Sequence, residues 1–233
     1  MSKRSFSEFR RQQVVLEIRY PEAYWLWDRS GHVWTAAGRI FHSLTLNSAA
    51  PNNTSFSADD RYSLSAQLQK ASAIDNRAEK MGDHLVNFID MIVETLEIKS
   101  LDRIGTRIQY AIDCESKGEA AEILGAYGRN NTISEKLFGV EPITLLPHFR
   151  QEVQDDQLGY HFQLYHRLRK LEFSMGPEVA DMAPRPDNQE IDQVVVDIDL
   201  FTTTPTSVAA FNAAEWLQRC LRATARDVPK FLA

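Results

Sequence analysis

Three stretches of the chain alternate apolar and polar side chains with a period of two, and no other feature limits the fold as strongly. In QVVLEIRY, residues 13–20, Val14, Leu16, Ile18 and Tyr20 share one face while Glu17 and Arg19 share the other. YSLSAQLQKASAI, residues 62–74, sets Tyr62, Leu64, Ala66 and Leu68 against Ser63, Ser65 and Gln67. LDRIGTRIQYAID, residues 101–113, sets Ile104, Ile108, Tyr110 and Ile112 against Arg103, Arg107 and Gln109. Successive side chains of a strand point to opposite sides, so each stretch reads as a strand with one buried and one wetted face. Such strands suit an antiparallel sheet covered on one side only.

Between them the period changes. Val33, Trp34, Ala37, Ile40 and Phe41 recur at helical spacing, which predicts a helix starting near Asp28 or Ser30, with Trp34 on its core stripe. AAPNNTSFSADD reads as a loop from its Pro, Asn and Ser content. Met81, Leu85, Phe88, Ile89, Ile92 and Leu96 predict a long helix from about Asn76. A short helix over KGEAAEILGAYG and a turn-rich stretch to Pro147 follow, then strands at 148–154 and 160–173 joined at DDQLG. GPEVADMAPRPDNQE reads as a connector and IDQVVVDIDLFT as the last strand. Pro205 is expected to open a final helix with Val208, Phe211, Leu217 and Leu221 inward.

Helices do not alternate one for one with strands, which favours an α+β fold with a largely antiparallel sheet and packed helices over a parallel α/β fold. The order suggests a β-α-β-β-α unit occurring twice, drawn as a duplicated ferredoxin-like or TATA-binding-protein-like sheet. Residues 1–233 are expected to form one domain with pseudo-halves 1–100 and 101–233.

Hydrophobic residues make up 43% of the chain and charged residues 25%, so a core of ordinary size is expected. The net charge of −6 argues against nucleic acid as a default partner, because phosphate binding rests on clustered Lys and Arg. FRRQ, residues 9–12, is the one short run that hints at a basic patch. No apolar run approaches a membrane span, and MSKRSFSEFRRQQ lacks the apolar stretch of a signal peptide, so a cytoplasmic location is expected. Cys114 and Cys220 are far apart in sequence and are read as reduced and partly buried.

Glycine-rich phosphate loops, HExxH, paired CxxC and GxSxG are all missing, and no cofactor is implied. Asp197 and Asp199 share a strand face about 7 Å apart, and with Glu17 they make the candidate metal site of a hydrolase or nuclease. Arg103 and Arg107 share a face across Gly105 and are the anion-binding candidates, unless they pair with those carboxylates on neighbouring strands. His161 and His166 fall on opposite faces of one strand and are read as ordinary strand residues.

The aromatic stretch reads first as the seam where strand meets helix and second as a partner-binding surface, with Tyr24, Trp25 and Trp27 as the candidates, because large aromatics at a surface mark interfaces more often than catalysis. The residues around them resemble a sporadically distributed bacterial family of uncharacterised proteins of similar length. Its members carry an "EvrfP" strand, a "WDRxG" helix start and an "RxGLRY" strand. Glu17, Arg19, Tyr20 and Pro21 match the first, Trp27, Asp28, Arg29 and Gly31 the second, and Arg103, Gly105 and Arg107 the third. Thr106 stands where the family has Leu, and an Ile-Gln pair precedes Tyr110. The resemblance implies an accessory gene of mobile or defence-like neighbourhoods and carries no catalytic residues with it.

Two classes of function follow from the sequence. The first is a non-enzymatic module that binds another protein chain or its own copy, in a defence or toxin-antitoxin-like setting. The second is the metal-dependent enzyme, with a small-anion or nucleic-acid sensor beside it.

Overall fold

The computed structural model describes residues 4–78, 82–127, 146–171 and 189–232. The turn-rich stretch before Pro147 and most of the connector after Leu171 lie outside them. Nine strands form one antiparallel sheet: β1 (Arg10–Arg19), β2 (Leu44–Ala50), β3 (Asn53–Ala58), β4 (Tyr62–Gln67), β5 (Lys70–Asp75), β7 (Arg103–Cys114), β8 (Phe149–Gln154), β9 (Leu158–Leu171) and β10 (Gln189–Thr202). Their spatial order is β2-β3-β4-β5-β1-β7-β10-β9-β8. The short strands β6 (Ser100–Leu101) and β11 (Thr206–Ser207) pair separately. The helices are α1 (Trp25–Ile40), α2 (His84–Thr95), α3 (Lys117–Tyr127) and α4 (Ala213–Leu232). The fold class is α+β.

The element order repeats around the centre. β1-α1-(β2 to β5)-α2 builds one side of the sheet and β7-α3-(β8 to β10)-α4 the other, with one strand fewer. In each half the first strand pairs with the last of the meander, β1 with β5 and β7 with β10, and the two first strands pair with each other at the middle. β1 and β7 are therefore central, and every side chain on their second face has neighbours to both sides.

The helices pack on a single face. Val14, Leu16, Ile18, Ile104 and Ile108 meet Leu26 and Val33 of α1, Phe88, Ile89 and Ile92 of α2, and Leu217 of α4 in one core. Val194, Val196, Ile198, Phe162 and Leu164 meet Ala120, Ile123 and Leu124 of α3 in a second. α4 serves both, contributing Val228 and Leu232 to the second core, and its Trp216 indole N–H donates to Thr106 Oγ1 on β7 at 2.9 Å. Cys114 and Cys220 are free and buried; burial pushes their thiols up, to about 11 and about 12, which leaves them protonated and inert at neutral pH. Among the described residues no helix is long and apolar enough to cross a membrane.

Several expectations need correction. AAPNNTSFSADD is not a loop: β2 and β3 form a hairpin there, and a further turn at Asp59 and Asp60, with φ of 54° and 49°, leads into β4. Its strands read as loop because their wetted face is serine, Ser55 and Ser57, and because Phe56 is the one large apolar residue of β3. The run 62–74 is two strands, since the chain turns at Leu68 and Gln69, whose carbonyls accept from Ala23 and Tyr20. α1 begins at Trp25, ahead of Asp28, because that Ala23 anchor lets the helix start at once and drives Leu26 into the core. Trp34 is not core; it is 37% exposed and leans on Phe56. α2 starts at His84 rather than at Asn76, and Met81 lies outside the described residues. Pro205 does not open α4, which begins at Ala213 after β11 and a single 3-10 turn at Val208–Ala210.

Candidate functional site

The face turned away from the helices carries the charged residues singled out from the sequence, and the strand register brings them together. Asp199 stands directly opposite Arg107, and Asp197 opposite Gln109. Both arginines lean along their strand, Arg107 by one same-face position to Asp197 and Arg103 by two to Asp199. Arg107 donates to Asp197 through Nε at 2.8 Å and Nη2 at 2.5 Å, while Arg103 lies over Gly105 to reach Asp199 at 2.9 Å and Glu17 at 3.3 Å. Glu17 also accepts from Arg19 at 2.9 Å and stands 3.9 Å from Lys70. Asp197 is buried and takes two further donors, Gln109 Nε2 at 2.9 Å and Tyr165 Oη at 3.4 Å.

From there the chain of bonds continues through two glutamines and a further arginine. Arg167 donates to Gln109 at 3.1 Å and to Gln193 at 2.7 Å, and Gln193 in turn donates to Asp113 at 2.6 Å. Hydrogen bonding to Asp197 holds the Arg107 guanidinium above its ordinary value, and burial pulls Arg167 below. Burial and then the Asp197 charge push Tyr165 up, which keeps its hydroxyl a donor. A carboxylate whose oxygens accept several charge-assisted bonds has those lone pairs occupied by protein donors. The chemical consequence is a polar face whose charged groups are bonded to one another.

The metal candidates are therefore not gathered at one point. A guanidinium stands between Glu17 and Asp199, and Asp197 faces Arg107; among the described residues no three His, Cys, Asp or Glu side chains are placed to share an ion. Arg103 and Arg107, the anion candidates, are already engaged by the same carboxylates. His161 and His166 do fall on opposite faces: His161 lies 3.9 Å from Asp199, and His166 contacts Asp192 at 2.5 Å. Tyr165, Arg167, Gln109 and Gln193 belong to the network and went unremarked as site residues. Their signal was present, since 161, 163, 165, 167 and 169 all share the wetted face of β9.

Gly105 and Gly159 explain how such large groups lie flat. Both stand directly opposite Phe201 on the two strands beside it. The Arg103 guanidinium sits 4.4 Å from the Phe201 ring centre and His161 meets its edge at 5.0 Å. A Cβ on Gly159 would come within 2.5 Å of that ring, whereas one on Gly105 meets only the movable end of Arg103 at 3.0 Å. Gly159→Ala should therefore cost about 1–3 kcal/mol through forced displacement of Phe201, and Gly105→Ala less than about 1 kcal/mol. Urea unfolding of the two variants checks the order; equal losses would show that Phe201 is free to move.

The partner-binding candidates form a separate surface. Leu26 is fully buried, and Trp25 and Trp27 flank it on the first turn of α1, each about 100° away around the helix. That geometry leaves Tyr24, Trp25 and Trp27 exposed at 55%, 47% and 54%. Tyr24 and Trp27 meet edge to face at 5.4 Å, Tyr24 Oη donates to Glu22, and the Arg29 guanidinium covers Trp25 at 4.3 Å.

The three rings border a shallow cavity of about 480 Å³ whose other wall is Leu96 to Ser100. At that wall Glu97 adopts φ 52° at the end of α2, a position where glycine is usual, while Glu97 and Ile98 N–H groups close the helix onto Glu94 and Val93. Arg29 holds it there through an ion pair at 2.7 Å. Glu97 is one of three non-glycine residues with a positive φ among the described residues, and it lies beside the exposed aromatics. No family model matches the chain, and no curated protein or solved structure matches it either.

Proposed function

We propose that the protein is a non-enzymatic binding module that docks another protein chain through Tyr24, Trp25 and Trp27. One observation carries the reading: three neighbouring aromatic residues stay about half exposed together, and Tyr24 and Trp27 are the most exposed large apolar side chains among the described residues. Tyrosine and tryptophan supply most of the anchoring energy of protein interfaces, because they bury a large area at little conformational cost. Glu22, Asp28, Lys99 and the Arg29-paired Glu97 rim the same cavity, which gives the apolar centre and polar rim of a protein interface. The polar face of the sheet supports the non-catalytic part, since its carboxylates are spent on arginines. The resemblance noted above would place such a module as an accessory protein in mobile or defence-like neighbourhoods.

The test is capture from an extract of the source organism, paired with light scattering of the purified chain to detect self-association. A captured partner or a dimer is expected, and the Trp25→Ser/Trp27→Ser variant should weaken it at least about 30-fold, the effect of removing an aromatic anchor worth ~2 kcal/mol. Its urea midpoint should move little, because both rings are half in water. A strict monomer that captures nothing, or a variant that binds as well as the parent, would overturn the proposal.

A further inference from the structure

A second site lies at the other end of β1. β5 stops at Asp75, which pairs with Val14, so residues 10–13 of β1 have no strand beside them on that edge. The chain after β5 turns across the notch, where Asn76 accepts from Gln13 at 2.8 Å and the Ala78 carbonyl accepts from Arg11 Nε at 2.6 Å. An irregularity in the β1–β7 register between Arg11 and Gln13 shifts the alternation by one. Arg10 consequently pairs with Ala111 and Arg11 with Tyr110, the reverse of what strict alternation along β1 would give. Extra residues of this kind re-aim side chains, and here the result is a cavity of about 550 Å³.

Four arginines line it: Arg10 and Arg11 of the FRRQ run, Arg77 from the turn, and Arg169 from β9. Two carboxylates face them. Glu8 is already taken by Arg4 at 3.0 Å and by the Ser5 amide at 2.7 Å, which leaves Asp113. Arg169 donates only to the neutral Gln12, at 3.2 Å. Among the described residues, the exposed Arg10 and Arg77 side chains have no ion pair or hydrogen bond. The contrast with the polar face is direct, because Arg103 and Arg107 each have a carboxylate. In a chain of net charge −6, a surplus of guanidinium groups around one hollow is against the trend. Like charges so grouped repel each other unless an anion joins them.

We infer that this cavity binds a compact anion carrying two or more linked phosphates. Guanidinium groups converging from three elements match phosphate oxygens in forked pairs, and the volume falls in the range of small-ligand sites. Among the described residues no aromatic ring lines the hollow, so a nucleobase finds nothing there to stack on, and the phosphates themselves are the part that is read.

Calorimetric titration of the intact chain with sodium tripolyphosphate tests this, with orthophosphate, ATP and a single-stranded oligonucleotide as parallel arms. Saturable one-to-one binding of tripolyphosphate is expected, at least tenfold tighter than orthophosphate. Arg10→Gln and Arg77→Gln should each weaken it about tenfold, and Arg39→Gln, outside the cavity, should not. ATP binding equal to tripolyphosphate supports a site for the phosphate chain alone, and tighter ATP binding would overturn the inference that only the phosphates are read. Undiminished binding by the Arg10→Gln/Arg77→Gln variant, no saturable binding of tripolyphosphate, or tighter binding of the oligonucleotide would each overturn the inference.

Discussion

Replacing Asp197 with alanine is expected to lower the free energy of unfolding by about 3 kcal/mol, because breaking a buried charge pair strands its partners. The carboxylate is 3% exposed and receives two bonds from Arg107, one from the buried Gln109 and a longer one from Tyr165. Gln109 loses its acceptor in a place that water does not readily reach, a loss of about 1–3 kcal/mol by itself. Arg107 moderates the total, since its side chain is 48% exposed and can turn back to solvent. For a chain of this length the change corresponds to a fall in Tm of roughly 6–12 °C. Asp197→Asn keeps the shape and one acceptor, so about half that loss is expected. Thermal and urea unfolding read both variants. A loss under about 0.5 kcal/mol for Asp197→Ala, the range of ordinary surface substitutions, would mean that the carboxylate is not held as described.

Asp75→Ala should be comparably damaging, about 3–4 kcal/mol, for a related but separate reason. Asp75 is fully buried at the end of β5, where Arg61 grips it in a fork, Nε at 2.8 Å and Nη2 at 2.7 Å. The Arg77 amide adds a third bond at 3.0 Å. This carboxylate fastens the turn leading into β4 to the turn that follows β5, two loops that have little apolar area to hold them. Its removal should therefore loosen Arg77, and tripolyphosphate binding should weaken along with stability. Asp75→Asn retains an acceptor for the Arg77 amide and should lose less. Urea unfolding gives the stability change; unaltered stability in Asp75→Ala would show that the turns stand without the clamp.

The two carboxylates also show what could be read from the chain and what could not. Asp197 was visible because it sits two residues from Asp199 in a strand, and alternation places both on one face. The same alternation made Arg103 and Arg107 their natural partners. What the pattern lacked was register: nothing in the residues says that Arg107 passes over the aspartate opposite it and takes the next. Asp75 left no trace, since it ends an alternating run and its partner Arg61 follows a segment that reads as loop.

The fold followed a similar division. β1, β7 and the stripe of α2 were legible from their periods, and with them the antiparallel α+β class. The β2–β3 hairpin was not, because a strand face built from serine and a core contribution of one phenylalanine imitate loop composition. Tyr24, Trp25 and Trp27 were legible as a cluster, but only the anchoring of Ala23 on Leu68, a contact across 45 positions, sets the helix start that turns them outward. The arginine cavity joins residues 10, 11, 77 and 169, of which only FRRQ stood out in sequence.

The proposed binding role leans on the charged groups of the sheet's polar face satisfying one another. A double-mutant cycle on Arg107 and Asp197, with Arg107→Ala, Asp197→Ala and the pair compared by urea unfolding, measures that mutual engagement with other contributions cancelled. A coupling of at least about 1.5 kcal/mol is expected for so close and partly buried a pair. Additive losses, with a coupling within about 0.3 kcal/mol of zero, would contradict it and return Asp197 to the candidates for chemistry.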